Sequence, residues 1–95
     1  MQEKAKATVV RWQPGSNEIA FIGRPSRWGN PFRLGRDGNR AEVIRKYTVW
    51  VWQPRNAGLR AAMRRQLAGK KLGCFCVPLM CHGHIIASIV NHPGD

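Results

Sequence analysis

The sequence predicts a small single α/β domain, residues 1–95, with the element order ββααβα. Residues 6–12, 18–22 and 72–76 are short apolar runs with the pattern and length of strands. Between the second and third runs, apolar residues recur at helical spacing over two segments, and a last helix is predicted at about 84–91. Ninety-five residues support one modest core. We therefore expect a short three-stranded sheet with helices packed against it.

The predicted sheet is mixed. Residues 13–17 (Gln-Pro-Gly-Ser-Asn) have the composition of a turn, so the first two strands are predicted to form a β-hairpin over residues 6–22. The connection from the second strand to the third passes through helices, which favours a parallel, right-handed crossover.

The two central helices are predicted from caps and apolar stripes. Asn39 is a cap with Glu42 in the capping-box position, and Asn56 is predicted to cap the next helix. The core-facing stripes are Val43/Tyr47/Trp50, with Ile44 and Val51, and Leu59/Met63/Leu67. Three arginines lie off the second stripe and are predicted to form a solvated face that is available to nucleic acid: Arg60, Arg64 and Arg65.

The charge predicts the class of partner. Sixteen Lys and Arg residues oppose five Asp and Glu residues, for a formal net charge of +11, and eleven of the sixteen are arginines. Arginine suits bidentate contacts with phosphate or carboxylate. A nucleotide, a nucleic acid or an acidic protein surface is therefore the expected partner, and a basic surface that only aids solubility is the alternative.

Neither a membrane nor an oxidising compartment is predicted. No run approaches the roughly 18 apolar residues of a membrane span, and residues 1–6 lack the apolar core of a signal peptide. The three cysteines are odd in number and two are separated by one residue, which does not fit a disulfide scaffold. We expect a cytoplasmic protein with no membrane partner.

Two irregular segments carry the candidate functional residues. Residues 23–35 form a long loop with arginines and aromatic residues, and residues 72–84 hold all three cysteines and two of the three histidines. Ligands of open α/β sheets bind beyond the carboxyl ends of parallel strands. Because one segment follows the second strand and the other follows the third, we expect them to share one pocket.

The first segment predicts a phosphate site. Arg24, Ser26 and Arg27 are expected to hold phosphate, with Trp28 stacking on a base or ring and Asn30 completing the set. The alternative is structural: Trp28, Asn30 and Phe32 would then plug the core, with Gly29 allowing a tight turn.

The second segment allows three interpretations. A zinc site would draw its ligands from five residues: Cys74, Cys76, Cys81, His82 and His84. Alternatively, Cys81 precedes the last helix, where free N–H groups and the helix dipole lower a thiol pKa, so that Cys81 and His82 would be the catalytic pair. In the third interpretation, the cysteines are buried packing residues.

Several separated motifs resemble a known family. Residues 22–32 (IGRPSRWGNPF) and 73–83 (GCFCVPLMCHG), with matching residues between them such as Asp37, Gly38 and Tyr47, resemble the domain of unknown function 4326. The resemblance covers about residues 20–90 and implies a bacterial or phage origin. It does not indicate which activity the domain has, because the function of the family is itself unknown. His84 stands where the family has an acidic residue, so a mechanism that needs a carboxylate there is not expected.

These patterns predict a nucleotide- or nucleic-acid-binding domain of bacterial or phage type, located in the bacterial or host cytoplasm. Whether it is an enzyme stays open; if it is, Cys81 and His82 would process a nucleotide or nucleic acid, with zinc as a possible cofactor. The alternative is a phage-type accessory or inhibitor protein that binds an acidic host protein through its arginines, with a structural Cys/His turn. A third option is binding of double-stranded DNA or RNA through charge alone.

Overall fold

The computed structural model describes residues 6–15 and 17–92 and has the predicted α/β class and element order. The strands are β1 (Thr8–Arg11), β2 (Ile19–Phe21) and β3 (Lys71–Cys74), and the helices are α1 (Arg40–Val51), α2 (Ala57–Gln66) and α3 (His82–Asn91). A 3-10 turn, Pro54–Asn56, joins α1 to α2. α3 contacts the sheet, α1 and α2. Residues 1–5 and residue 16 of the predicted turn lie outside the described residues.

The sheet is parallel throughout, so the predictions of a mixed sheet and of a hairpin over residues 6–22 were wrong. β3 lies between β1 and β2 and is parallel to both, with Lys71 level with Thr8 on one side and with Ile19 on the other. The last three residues of β3 are buried, whereas no residue of β1 or β2 is fully buried. The most deeply buried strand takes the central position, and a β1–β2 hairpin would have left it at an edge.

The central position of β3 depends on a glycine. A Cβ atom at Gly73 would lie 2.5 Å from Ile19 Cγ2 and 2.7 Å from Trp12 Cε3. The side chains of Ile19 on β2 and of Trp12, which follows β1, therefore close over the middle of β3, where only a hydrogen atom fits.

The predicted capping box of α1 is confirmed. The Glu42 backbone N–H donates to Asn39 Oδ1 at 2.9 Å, and the Asn39 N–H donates to Glu42 Oε1 at 3.0 Å. This pairing satisfies two of the free N–H groups of the first turn. It fixes where the loop after β2 ends and α1 begins. The buried face of α1 consists of Val43, Ile44, Tyr47 and Val51, and Trp50 is half-buried.

Asn56 does not act as the predicted cap of α2. It occupies the N-cap position, but its side chain makes no capping hydrogen bond, because Nδ2 donates instead to the Trp50 carbonyl at 2.6 Å. Asn56 therefore ties the start of α2 to the end of α1.

The prediction that three arginines of α2 form a solvated face was wrong for two of them. Arg60 is only 5% exposed and donates from Nη1 to the carbonyls of Val51 at 2.7 Å and Gln53 at 3.0 Å. Arg64 is half-buried, and its Nε donates to the Ile89 carbonyl at 3.2 Å. Arg65 is exposed. The carbonyls at the end of α1 lack intrahelical partners, and Arg60 satisfies them.

The core lies between the sheet and the three helices. Its largest fully buried side chains are Tyr47, Ile22, Met63, Leu72, Ile86, Ile89 and Val51. Within residues 6–15 and 17–92, no helix has the length and apolar character needed to cross a membrane.

Candidate functional site

The two segments that the sequence singles out meet at the carboxyl end of the sheet. β2 and β3 are parallel and in register, with Phe21 level with Gly73, so the segments that follow them leave the sheet side by side. A pocket of about 260 Å³ lies between these segments. The residues that line it include Arg24 and Asn30 from the first segment and Cys74, Phe75, Cys76, Cys81 and His82 from the second. The predicted convergence of the two loops is present in the structure.

Cys81 lies at the N-terminus of α3. It is the N-cap residue, and its Sγ accepts a hydrogen bond from the Gly83 N–H at 3.3 Å. The Cys81 N–H in turn donates to His84 Nδ1 at 3.2 Å, which completes a capping box. His84 thus fills the third helical position, where a capping box usually has Glu or Gln.

Cys74 and Cys81 form a hydrogen-bonded pair of sulfurs. Both thiols are free and buried, and their Sγ atoms and a ring nitrogen of His82 all lie within 4.8 Å of one another. The Cys74 S–H donates to Cys81, which lowers the pKa of Cys81 to about 7; the Gly83 N–H acts in the same direction and burial opposes both. The same hydrogen bond and burial raise the pKa of Cys74. At neutral pH, Cys81 is therefore the more reactive sulfur.

His82 is held in one tautomer. Its Nε2 lies 2.8 Å from the Ile22 carbonyl oxygen. A carbonyl only accepts hydrogen bonds, so Nε2 carries the proton and Nδ1 keeps a lone pair. Burial lowers the pKa of His82, the charge of Arg24 adds to this effect, and the carbonyls of Ile22 and Trp28 oppose it. His82 is therefore neutral at pH 7, with Nδ1 available as a base or a metal ligand.

The five residues predicted to bind phosphate do not all reach the pocket. Arg24 is exposed and lines it, and Nη1 donates to the Asn30 carbonyl at 3.2 Å. Asn30 lines it as well, but its amide is engaged: Nδ2 donates to the Val43 carbonyl, and Oδ1 accepts from the Phe32 N–H. Asn30 thus anchors the loop to α1.

Ser26, Arg27 and Trp28 are not among the residues that line the pocket. Trp28 is 7% exposed and packs in the core, which matches the structural alternative and leaves little ring surface for stacking on a base. The Arg27 guanidinium lies over the Trp28 ring, 4.9 Å from its centroid. Ser26 Oγ is buried and has no hydrogen-bond partner among residues 6–15 and 17–92.

Arg40 and Phe75 are among the pocket residues that sequence reasoning missed. Arg40 is the first residue of α1; it lines the pocket, and its Nη1 donates to the Met80 carbonyl at 3.3 Å. Phe75 also lines the pocket and is 63% exposed, with its ring edge against Phe21 at 5.6 Å between centroids. Each had a signal in the sequence: Arg40 directly follows the Asn39 cap, and Phe75 lies between two cysteines.

The structure narrows the predicted metal ligands to three. Among the described residues, the group whose ligand atoms lie close enough to share an ion consists of Cys74, Cys81 and His82. Cys76 and His84 are outside it. Two thiols and one imidazole are a donor set that zinc accepts, and three protein ligands leave one coordination position open. The N–H of His82 Nε2 on a backbone carbonyl is the outer contact that usually orients a zinc-binding histidine.

Comparison with known proteins agrees with the motifs at this pocket. Residues 4–92 match the family described as Domain of unknown function (DUF4326). The chain belongs to this family. It is also 38% identical over 72 residues to a protein of Enterobacteria phage T4 described as "Uncharacterized 12.4 kDa protein in nrdA-td intergenic region". That match covers 74% of this chain and 65% of the phage protein, so the chain spans slightly less than two thirds of this relative. No solved structure matches the chain.

Proposed function

We propose that this DUF4326 domain binds a nucleotide in the pocket between the two strand-end segments and that Cys81 is its reactive group. The observation that carries the proposal is the composition of that pocket. It combines arginines, an exposed aromatic ring and a sulfur at a helix N-terminus within one cavity of about 260 Å³. This volume is close to the lower limit of about 300 Å³ for small-molecule sites, which suits a single nucleotide better than a duplex.

Arg24 and Arg40 supply the phosphate side of the proposed site. Both line the pocket, and each uses Nη1 to hold a backbone carbonyl, at Asn30 and Met80 respectively. These hydrogen bonds position the guanidinium groups at the rim. A guanidinium has five N–H donors, so others stay available to a phosphate. The N-terminus of α3 adds a favourable dipole for an anion.

Phe75, not Trp28, supplies the aromatic ring on which the base of the nucleotide stacks. Its ring is 63% exposed, and the edge contact with Phe21 supports it from the sheet. Leu34 also lines the pocket and is 52% exposed. Nucleobases stack on aromatic side chains without sequence preference.

Cys81 and His82 supply the chemistry. The Cys81 sulfur is a nucleophile at neutral pH because Cys74 and Gly83 donate hydrogen bonds to it. His82 offers a neutral imidazole whose proton is fixed on Nε2 by Ile22. Both residues line the pocket, so a bound nucleotide would meet them directly.

Ligand binding combined with protection of Cys81 tests this proposal. Nucleoside mono- and triphosphates, nucleosides and inorganic phosphate are each titrated calorimetrically, and Cys81 alkylation by iodoacetamide is followed by peptide mass spectrometry. We expect at least one nucleotide to bind more tightly than its nucleoside and more tightly than inorganic phosphate, and to slow alkylation of Cys81. Binding that leaves the alkylation rate unchanged would place the nucleotide elsewhere and reject this pocket.

A zinc site at Cys74, Cys81 and His82 is the second candidate, favoured by the mutual distances of at most 4.8 Å. These three side chains would hold the ion, and the ion would supply a Lewis acid or an activated water at the pocket wall. Metal analysis of purified protein tests this candidate, with Cys76→Ser as a matched control because Cys76 lies outside the group. Stoichiometric zinc that is lost in Cys74→Ser and Cys81→Ser but retained in Cys76→Ser supports it; zinc retained in Cys81→Ser rejects it.

Binding of an acidic host protein, the accessory-protein alternative, would use a groove beside α1 instead of the arginines of α2. Arg60 and Arg64 hold backbone carbonyls. The groove beside α1 is lined by three basic residues and one acidic residue, Arg45, Lys46, Arg55 and Asp37, together with the exposed Val49, and Asp37 is already paired with Arg36. This groove would accept an acidic protein surface in the bacterial or host cytoplasm. Arg45→Glu with Arg55→Glu should then abolish partner binding while Cys81→Ser is silent. The nucleotide proposal expects the opposite pattern for ligand binding.

A further inference from the structure

Two sulfurs share the wall of the pocket in an arrangement that nucleotide binding does not require. Cys74 is the last residue of β3, and Cys81 is the N-cap of α3, so six residues separate them in the chain. Both are free and buried, yet both line the pocket. Cys76 also lines the pocket but does not belong to the close group of ligand atoms.

We propose that hydrogen peroxide oxidises Cys74 and Cys81 and that the two sulfurs then form a disulfide. Both thiols are free, and their Sγ atoms lie within 4.8 Å of each other. A disulfide needs a separation of about 2.05 Å. The remaining gap is less than 3 Å, within the range of side-chain rotation about χ1. The proposal does not rest on nucleotide binding, since it needs only the two sulfurs and access for a small hydroperoxide.

The reaction has two steps. The Cys81 thiolate, which has given up its proton, attacks one oxygen of hydrogen peroxide; the O–O bond breaks, Cys81 becomes a sulfenic acid, and the leaving hydroxide takes up a proton in place of the one that Cys81 released and departs as water. The Cys74 sulfur then attacks the sulfur of Cys81. The S–S bond forms, the S–O bond breaks, and the leaving hydroxide takes the Cys74 proton as water. Peroxide gains two electrons, the two thiols lose two electrons, and two water molecules are formed overall.

Cys81 is the sulfur attacked by Cys74 because of its position. The Gly83 N–H donates to Cys81 Sγ at 3.3 Å and holds that sulfur at the helix N-terminus, where it faces the pocket. Cys74 lies beside it on β3, with the Cys76 N–H donating to its sulfur at 3.5 Å. Oxidation would remove the nucleophile of the proposed site, and thiol reductants would restore it.

Oxidation of the full chain tests the proposal, with Cys76→Ser as the matched control. Reduced protein, treated with a chelator to remove any metal, receives one equivalent of hydrogen peroxide. Remaining thiols are alkylated, and intact-mass and peptide mass spectrometry follow. We expect the wild type and Cys76→Ser to lose two hydrogen atoms and to yield a Cys74–Cys81 cross-linked peptide that dithiothreitol reverses.

The single-sulfur variants complete the test. Cys74→Ser should form no disulfide and should instead accumulate a Cys81 sulfenic acid that dimedone traps. A wild type without an intramolecular disulfide, or a Cys76–Cys81 disulfide in Cys74→Ser, would overturn the proposal. Circular dichroism melting checks that each variant is folded. If Cys74→Ser is unfolded, the wild type and Cys76→Ser still decide the outcome. Nucleotide binding is measured separately, so its absence would not affect the result.

Discussion

The rim of the pocket and the face of α2 both carry arginines, and the structure uses them in opposite ways. Arg24 at the rim is exposed and faces a cavity, whereas Arg60 on α2 is 5% exposed and donates to two carbonyls. The Arg60 guanidinium also lies over the Trp52 ring, 4.9 Å from its centroid. A basic composition therefore does not identify the binding arginines. Burial and two carbonyl acceptors distinguish Arg60 from Arg24, which is exposed and holds one carbonyl.

Replacing Arg60 should give the largest effect. Arg60→Met keeps much of the aliphatic packing but leaves the buried carbonyl of Val51 and the half-buried carbonyl of Gln53 without this donor. We expect the free energy of unfolding to fall by about 2–4 kcal/mol. Urea denaturation measures it, with Arg65→Met as the control, because Arg65 is exposed on the same helix and should change stability by less than about 0.5 kcal/mol. Equal losses of unfolding free energy in the two variants would contradict a structural role specific to Arg60.

Replacing Arg24 should weaken ligand binding without a comparable loss of stability. Charge-assisted hydrogen bonds contribute about 1.5–3 kcal/mol, so nucleotide affinity should fall by about 10- to 100-fold in Arg24→Ala. Calorimetric titration measures this change. Arg65→Ala removes the same charge away from the pocket and should bind like the wild type. An equal loss in both variants would mean that net charge, not the pocket, attracts the ligand.

Replacing Phe75 should give a comparable or smaller effect on binding. Base stacking on an aromatic side chain contributes about 1–3 kcal/mol, so Phe75→Ala should weaken nucleotide binding by about 5- to 100-fold. Phe75→Trp should retain it. The ring is 63% exposed, so its removal should change thermal stability little. Equal affinity of Phe75→Ala and the wild type would show that the base does not stack there.

The smallest expected effect is on the pH dependence of the rate at which Cys81 is alkylated. The Cys74 hydrogen bond lowers the pKa of Cys81 to about 7, so the rate of alkylation of Cys81 should rise with pH and level off above that value. Cys74→Ala removes this donor and should move the midpoint to higher pH, toward that of an ordinary thiol. Cys74→Ser retains a donor and should shift it less. Iodoacetamide kinetics followed by peptide mass spectrometry measures both; a midpoint that does not move in Cys74→Ala would contradict the paired arrangement.

Sequence patterns predicted where the two segments lie but not what their individual side chains do. The meeting of the two segments was predictable, because parallel strands joined through helices bring their carboxyl ends to one edge. The roles of individual side chains within those segments were not. Trp28 and Arg27 lie in the same loop as Arg24, but Trp28 packs in the core and Arg27 stacks on it. Such assignments depend on which way each loop residue turns, and loops have no periodicity from which to infer it.

The sequence alone determined the family, the α/β class, the element order and the capping box at Asn39 and Glu42, since all of these depend on local pattern. Tertiary structure decided the strand order, because burial on both faces selects β3 for the centre of the sheet. It also decided that Arg60 holds backbone carbonyls and that the ligand atoms of Cys74, Cys81 and His82, but not that of Cys76, form one close group. These outcomes depend on which groups approach each other across long stretches of the chain, and spacing along the chain does not encode such distances.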